Sequence, residues 1–154
     1  MVSCPKSIVL FCATGAFSGY VPVMPGTVGS AAAIPLYCLF ALFPFPLYLA
    51  ATALFIVFSI LISGCAEKHF GRKDPPCVVI DEWAGFLVTM ASFTPSWQSV
   101  LGGFVLFRFF DVVKPYPAGT INDTVGGGAG IVLDDVAAGI YANAVLQVVR
   151  LLFA

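Results

Sequence analysis

The sequence predicts an all-α integral membrane bundle: two short proline-tipped helical hairpins followed by a C-terminal span. Three observations predict it. Apolar residues make up 60% of the 154, while Asp, Glu, Lys and Arg make up only 10%, and mean hydropathy is +1.00. A soluble domain runs nearer roughly 45–50% apolar and 25% charged, so a water-soluble fold of this size would lack the polar residues to cover its surface. The few charges come in clumps, separated by uncharged apolar runs. Those runs are continuously apolar rather than alternating, which speaks against a β-barrel. The same composition excludes disorder. A net charge of −1 with pI 5.6 leaves no basic footprint for nucleic acid. The length suits one unit over residues 1–154.

The elements follow in order. An apolar run covers residues 7–17 behind Lys6; it is too short to settle between crossing a bilayer and lying in its interface. It also lacks an A-x-A site, so it reads as retained rather than as a cleaved signal. Further apolar runs cover residues 30–43, 47–63, 84–93, 97–107 and 136–149, and none is a comfortable isolated span of about 20 residues. Pro44-Phe45-Pro46 must break a helix, and Thr94-Pro95-Ser96 does the same while placing Ser96 to start the next. The prediction is therefore two hairpins, 30–63 and 78–111, and a last helix over 134–153. Hairpins return their ends to one side, so the loops 19–29, 64–80 and 112–133 should share a face. Lys68, Arg72, Lys73 and Lys114 lie there, and the positive-inside rule makes that face cytoplasmic. Of the five cysteines, Cys4, Cys12, Cys38, Cys65 and Cys77, none forms a C-x-x-C pair, and Cys12 and Cys38 read as packing residues.

Five carboxylates stand at the expected ends of apolar helices: Asp81 and Glu82, Asp111, and Asp134 and Asp135. Ionised carboxylates drawn toward a bilayer are costly. A capping role accounts for one Asp at a helix start. Two adjacent acids at each of two helix mouths, faced by a third acid, favour a shared divalent cation. With a single His and no cysteine cluster, zinc fits poorly; hard oxygen donors suit Mg²⁺ or Mn²⁺. Arg108 precedes Asp111 by one helical turn and reads either as its ion-pair partner or, with Lys114, as a clamp on phosphate. Two glycine-containing loops share this face. In Pro25-Gly26-Thr27-Val28-Gly29-Ser30, the backbone N–H groups and the Thr27 and Ser30 hydroxyls suit a phosphate, although the lysine of a nucleotide loop is missing. Gly126-Gly127-Gly128-Ala129-Gly130 permits bending or close backbone approach before Asp134.

Other phosphate chemistries fail by inventory. The spacing from Cys65 to Arg72 is one residue too long for a cysteine phosphatase loop. His69, in Lys68-His69-Phe70, reads as a loop residue and has no second His or nucleophile elbow to work with. Metal-assisted attack on phosphorus survives. A membrane ion or solute transporter is the competing class, since membrane carboxylates also mark ion paths.

Four stretches carry a family resemblance: Pro25-Gly26-Thr27-Val28-Gly29-Ser30, Asp81-Glu82-Trp83-Ala84-Gly85, the run from Phe107 through Arg108, Asp111 and Lys114 to Pro117, and Gly127-Gly128-Ala129-Gly130-Ile131-Val132-Leu133-Asp134-Asp135. Together they resemble phosphatidylglycerophosphatase A over most of the chain. The resemblance implies a Mg²⁺-dependent membrane phosphatase that hydrolyses phosphatidylglycerophosphate to phosphatidylglycerol and inorganic phosphate, in a bacterial inner membrane. It makes Asp81, Glu82, Asp111, Asp134 and Asp135 the catalytic and metal-site residues. Some members of that family place a His before the paired glycines, where this chain has Gly126; proton transfer then falls to a carboxylate.

Overall fold

Proline and serine set the helix boundaries. The computed structural model describes residues 5–153; Cys4 lies outside them. Among the described residues are eight α-helices, one 3₁₀ turn and no strand: α1 (Lys6–Ala13), the 3₁₀ turn (Ser18–Tyr20), α2 (Pro25–Ala32), α3 (Ile34–Phe40), α4 (Phe45–Phe70), α5 (Ile80–Thr89), α6 (Trp97–Val113), α7 (Ala118–Thr124) and α8 (Gly127–Phe153). Pro46 lies in the first turn of α4, where a missing N–H costs nothing. Ser96 caps α6 reciprocally: Ser99 N–H donates to Ser96 Oγ at 3.2 Å and Ser96 N–H donates to Ser99 Oγ at 3.1 Å. Gly71, at φ 66°, ends α4, and its N–H donates to the Glu67 carbonyl at 3.0 Å.

The second predicted hairpin packs as α5 against α6, with Phe86 meeting Phe107; at the first, the Phe40 ring of α3 meets Tyr48 and Phe55 of α4 beyond the Pro44 turn. Their tips meet. Tyr37 Oη, from α3, donates to the Phe93 carbonyl at 2.9 Å, and Tyr48 Oη, from α4, donates to the Leu87 carbonyl at 2.6 Å. The far half of α8 ties down the second tip. Asn143 Nδ2 donates to the carbonyls of Thr89 (2.8 Å) and Ala91 (2.9 Å), and Gln147 Nε2 donates to Ser92 Oγ at 2.6 Å. The Arg150 guanidinium sits 5.2 Å from the Phe93 ring centre. The start of α5, the end of α6 and the start of α8 are therefore left at the opposite end of the bundle.

At the centre is α5, with eight of its ten residues buried. Its Phe86 and Leu87 join Tyr37, Phe107 and Leu146 in the core. It meets α8 backbone to backbone. A Cβ at Gly85 would stand 2.7 Å from the Asp135 carbonyl oxygen and 2.5 Å from the Phe107 ring, and a Cβ at Gly139 would collide with the Gly85 carbonyl. Asp81 precedes Gly85 by four residues, and Asp135 precedes Gly139 by four. Each acid is therefore one turn from the contact, on the same helix face.

Helices α4 and α8, of 26 and 27 residues, are long and apolar enough to cross a membrane, and both incorporate their charged ends to reach that length. Large apolar side chains stay on the outside, Leu54 at 72% and Leu151 at 77% exposure among them, which suits lipid better than water. With eight residues, about 12 Å, α1 cannot cross.

Several predicted loops are helical. Pro25–Ser30 forms most of α2, and the first hairpin arm is broken at Ala33, with Pro35 in the first turn of α3. The segment expected as a loop over 64–80 is helical to Phe70, so His69 lies in the last turn of α4. The glycines before Asp134 are not a loop: α8 begins at Gly127, and a Cβ at Gly128 would stand 2.5 Å from Gly64 N of α4. Glycine here serves close helix packing, which offsets its low helix propensity. Cys12 and Cys38 pack against the two apolar clusters as expected.

The α5–α8 contact predicts that Gly139→Val lowers stability in detergent by about 1–3 kcal/mol. Gly126→Ala, whose Cβ meets nothing within 4 Å, should leave the melting temperature unchanged. Thermal unfolding checks both.

Candidate active site

Five carboxylates predicted from the sequence line one cavity of about 240 Å³, together with Lys114, Asp74, Pro76 and Val78. Asp81 and Glu82 come from the first turn of α5. Asp111 comes from the last turn of α6. Asp134 and Asp135 lie two turns inside α8, not at its mouth, so capping does not account for them. The four acids of α5 and α8 are 3–9% exposed.

Two cations stand among these acids. Arg108 Nη1 donates to Asp111 Oδ2 at 2.6 Å and lies 3.5 Å from Glu82 Oε1. Arg108 and Asp111 are three residues apart, the pairing that the helical spacing predicts. Lys114, at the end of α6, pairs with Asp134. Burial draws the Lys114 pKa down, but the Asp134 hydrogen bond and the charges of Asp134, Asp135 and Asp111 outweigh it, and the net direction is up. Lys114 therefore stays cationic at neutral pH.

Helix α2 reaches the site through Ser30 and two glycines. Ser30 Oγ donates to the Gly26 carbonyl at 2.9 Å, stands 3.4 Å from Glu82 Oε2 and accepts from Arg108 Nη1 at 3.4 Å. A Cβ at Gly29 would stand 2.5 Å from Glu82 Oε2, and one at Gly26 would collide with Glu82 Oε1. The glycines of the predicted phosphate loop thus make room for Glu82. Among the described residues, no hydrogen bond of the Thr27 side chain reaches the site.

The donor set suits an oxygen-preferring divalent cation. Two buried carboxylate oxygens, Asp81 Oδ1 and Asp135 Oδ2, have no hydrogen-bond partner, and such orphans demand one. Among the described residues, six carboxylates line the site, and the ion pairs of Arg108 and Lys114 reach Glu82, Asp111 and Asp134. Even so, among the described residues no three acids, His or Cys stand together as a ready-made ligand set. Arg108 and Lys114 occupy part of the acidic surface instead.

Asp74 is the site residue that the sequence reading missed. It belongs to the loop between α4 and α5, and its only signal was membership of the charge clump ahead of Asp81.

The phosphatidylglycerophosphatase A family model matches residues 11–150. The chain belongs to that family. Phosphatidylglycerophosphatase A of Escherichia coli strain K12 is 39% identical over 135 residues, covering 87% of this chain and 78% of that relative. The protein of the same name from Haemophilus influenzae Rd is 35% identical over 140 residues, covering 90% and 86%. A protein of Bacteroides thetaiotaomicron named "Putative phosphatidylinositol-3-phosphatase" is 33% identical over 154 residues, covering 95% and 96%. No solved structure matches. Family membership makes this chain a phosphatase, and all the acid-bearing motifs of the site fall inside the matched residues.

Arg108 serves as a test of pairing against catalysis in this family member. Arg108→Ala should cost about 1.5–3 kcal/mol, by leaving the Glu82 and Asp111 carboxylates without their donor. Arg108→Lys should recover most of the stability but not kcat/KM, because an ammonium cannot offer a bidentate fork to phosphate. Recovery of both by Lys would reduce Arg108 to an ion-pair partner.

Proposed function

We propose that this protein is a Mg²⁺-dependent phosphatidylglycerophosphate phosphatase, acting at the cytoplasmic face of a bacterial inner membrane. The observation that carries the reading is the pocket, where acids from three helices meet Arg108, Lys114 and Ser30 at one end of an apolar bundle. Family membership supports the substrate. The charge bias of the loops at that end supports the cytoplasmic face.

Asp81, Glu82, Asp111, Asp134 and Asp135 would hold the cation. When bound, it would neutralise the crowded carboxylates and withdraw charge from the phosphoryl oxygens. The protein's own groups do the rest. Arg108 turns its guanidinium from Asp111 and Glu82 toward two oxygens of the terminal phosphate. Lys114 exchanges Asp134 for a third oxygen, and the Ser30 hydroxyl steadies the fork of Arg108. A water gives its proton to one of the buried carboxylates as it attacks phosphorus in line. The bond from phosphorus to the headgroup oxygen breaks, and that oxygen takes a proton to become the alcohol of phosphatidylglycerol. The transporter alternative loses ground to family membership, although the α8 acids lie deeper than a helix mouth.

A second substrate reading rests on the Bacteroides relative, whose name specifies a phosphorylated inositol headgroup. Both substrates carry a phosphate monoester on a lipid headgroup, which the same cations would recognise. Purified protein in detergent, given each lipid with Mg²⁺ or with EDTA, decides. The expected result is phosphate release from phosphatidylglycerophosphate with Mg²⁺ and none with EDTA. Faster release from phosphatidylinositol 3-phosphate would reassign the substrate; undiminished release with EDTA would remove the metal. Asp81→Asn and Asp135→Asn should each lower turnover by more than about 100-fold while the protein stays folded; unchanged turnover would remove that residue from the site.

A further inference from the structure

The geometry points to Asp74 as a sixth acidic member of the site, one that meets the divalent cation from the pocket mouth. The inference rests on the Mg²⁺ reading above and deepens it. Asp74 lines the cavity with Asp81, Glu82, Asp111, Asp134 and Asp135, and it is the one acid of the six that no helix carries.

Its backbone lies in the left-handed region, which Asp adopts more readily than most residues but which is still uncommon. Asp74 has φ +48°, and the following residue is Pro75, whose ring further restricts the residue before it. Such a conformation persists only where the surroundings impose it. Here the clamp is visible: Pro75 is fully buried, while Asp74 beside it is exposed at the cavity. Pro76 and Val78 of the same loop also line the cavity. The chain thus anchors one residue in the core in order to hold its neighbour at the mouth.

A second observation says that the cavity wants a ligand. Asp81 Oδ1 and Asp135 Oδ2 belong to residues 7% and 4% exposed, and both oxygens are without a partner. Lys114 and Arg108 are already engaged with Asp134 and with Asp111 and Glu82. A sixth carboxylate added to this group raises the repulsion unless a cation is to be shared. A hard divalent ion takes oxygen ligands and keeps open positions for water and phosphate, and an acid on the loop reaches it from the side that the helices leave open.

Mn²⁺ alone, added to the purified full-length protein in detergent, tests this. Binding is read by the paramagnetic signal of free Mn²⁺, and stability by thermal unfolding without metal. Asn tolerates a positive φ as Asp does, so Asp74→Asn removes charge without altering the backbone. The expected result is Mn²⁺ affinity lowered about 10-fold, with metal-free stability equal to or above that of the unsubstituted protein, because a like charge has gone. Asp74→Glu should regain part of the affinity. Asp123→Asn, an equal charge removal on exposed α7 away from the cavity, should bind Mn²⁺ as before. Unaltered affinity in Asp74→Asn would overturn the proposal while leaving the metal reading intact. Absence of Mn²⁺ binding to the unsubstituted protein would overturn both. If Asp74→Asn does not fold, Asp74→Gly, which suits the positive φ, supplies the same two outcomes.

Discussion

Everything at the site depends on how closely α5 can approach α8. The approach is set by Gly85 and Gly139, which let the backbone of one helix touch the other. In lipid, helices gain little from burying apolar surface against each other, so association rests on such close packing and on interhelical hydrogen bonds. Asp81 and Asp135 each lie one turn from the contact, and the crossing itself carries them into one cavity. A bulkier residue at either glycine would push the two helices apart, and at Gly85 it would strike the Asp135 carbonyl itself.

That closeness has an electrostatic consequence. Four carboxylates of α5 and α8 are buried together, and burying charge is costly unless it is paired. Arg108 and Lys114 supply part of the pairing, and Ser30 and the small residues of α2 bring a third wall up to Glu82. Two carboxylate oxygens remain without partners. The arrangement is poor as a stabilising network and well suited to receiving positive charge. Under the proposed function the same two cations would leave their acids to hold the phosphate, so the carboxylates they release would need the divalent cation in their place.

Much of this was legible in the sequence. Pro44, Pro46 and Pro95 marked both hairpin tips, because proline cannot continue a helix. The loops between the hairpins then had to share one end, which put the five acids together. The glycine-rich stretches were misread as loops, because glycine favours turns in water. Here their value is the missing Cβ: Gly26 and Gly29 admit Glu82, and Gly128 admits α4. No periodicity records such a contact, since its partner lies far away in the chain. Asp74 was missed for a related reason. Its position depends on a buried Pro75 and a left-handed backbone, neither of which has a pattern in the sequence. Thr27 belongs to the same motif as Ser30, and among the described residues the hydrogen bonds from α2 to Glu82 and Arg108 run through Ser30.

The central claim is that acids from α5, α6 and α8 share a divalent cation in the pocket. Crystals of the active protein grown with Mn²⁺, with the ion located by its anomalous scattering, test it most directly. The account predicts a peak in the cavity within bonding distance of carboxylates from both α5 and α8, with Arg108 or Lys114 released from at least one acid. An enzyme active with Mn²⁺ whose only peak lies outside that cavity would contradict it.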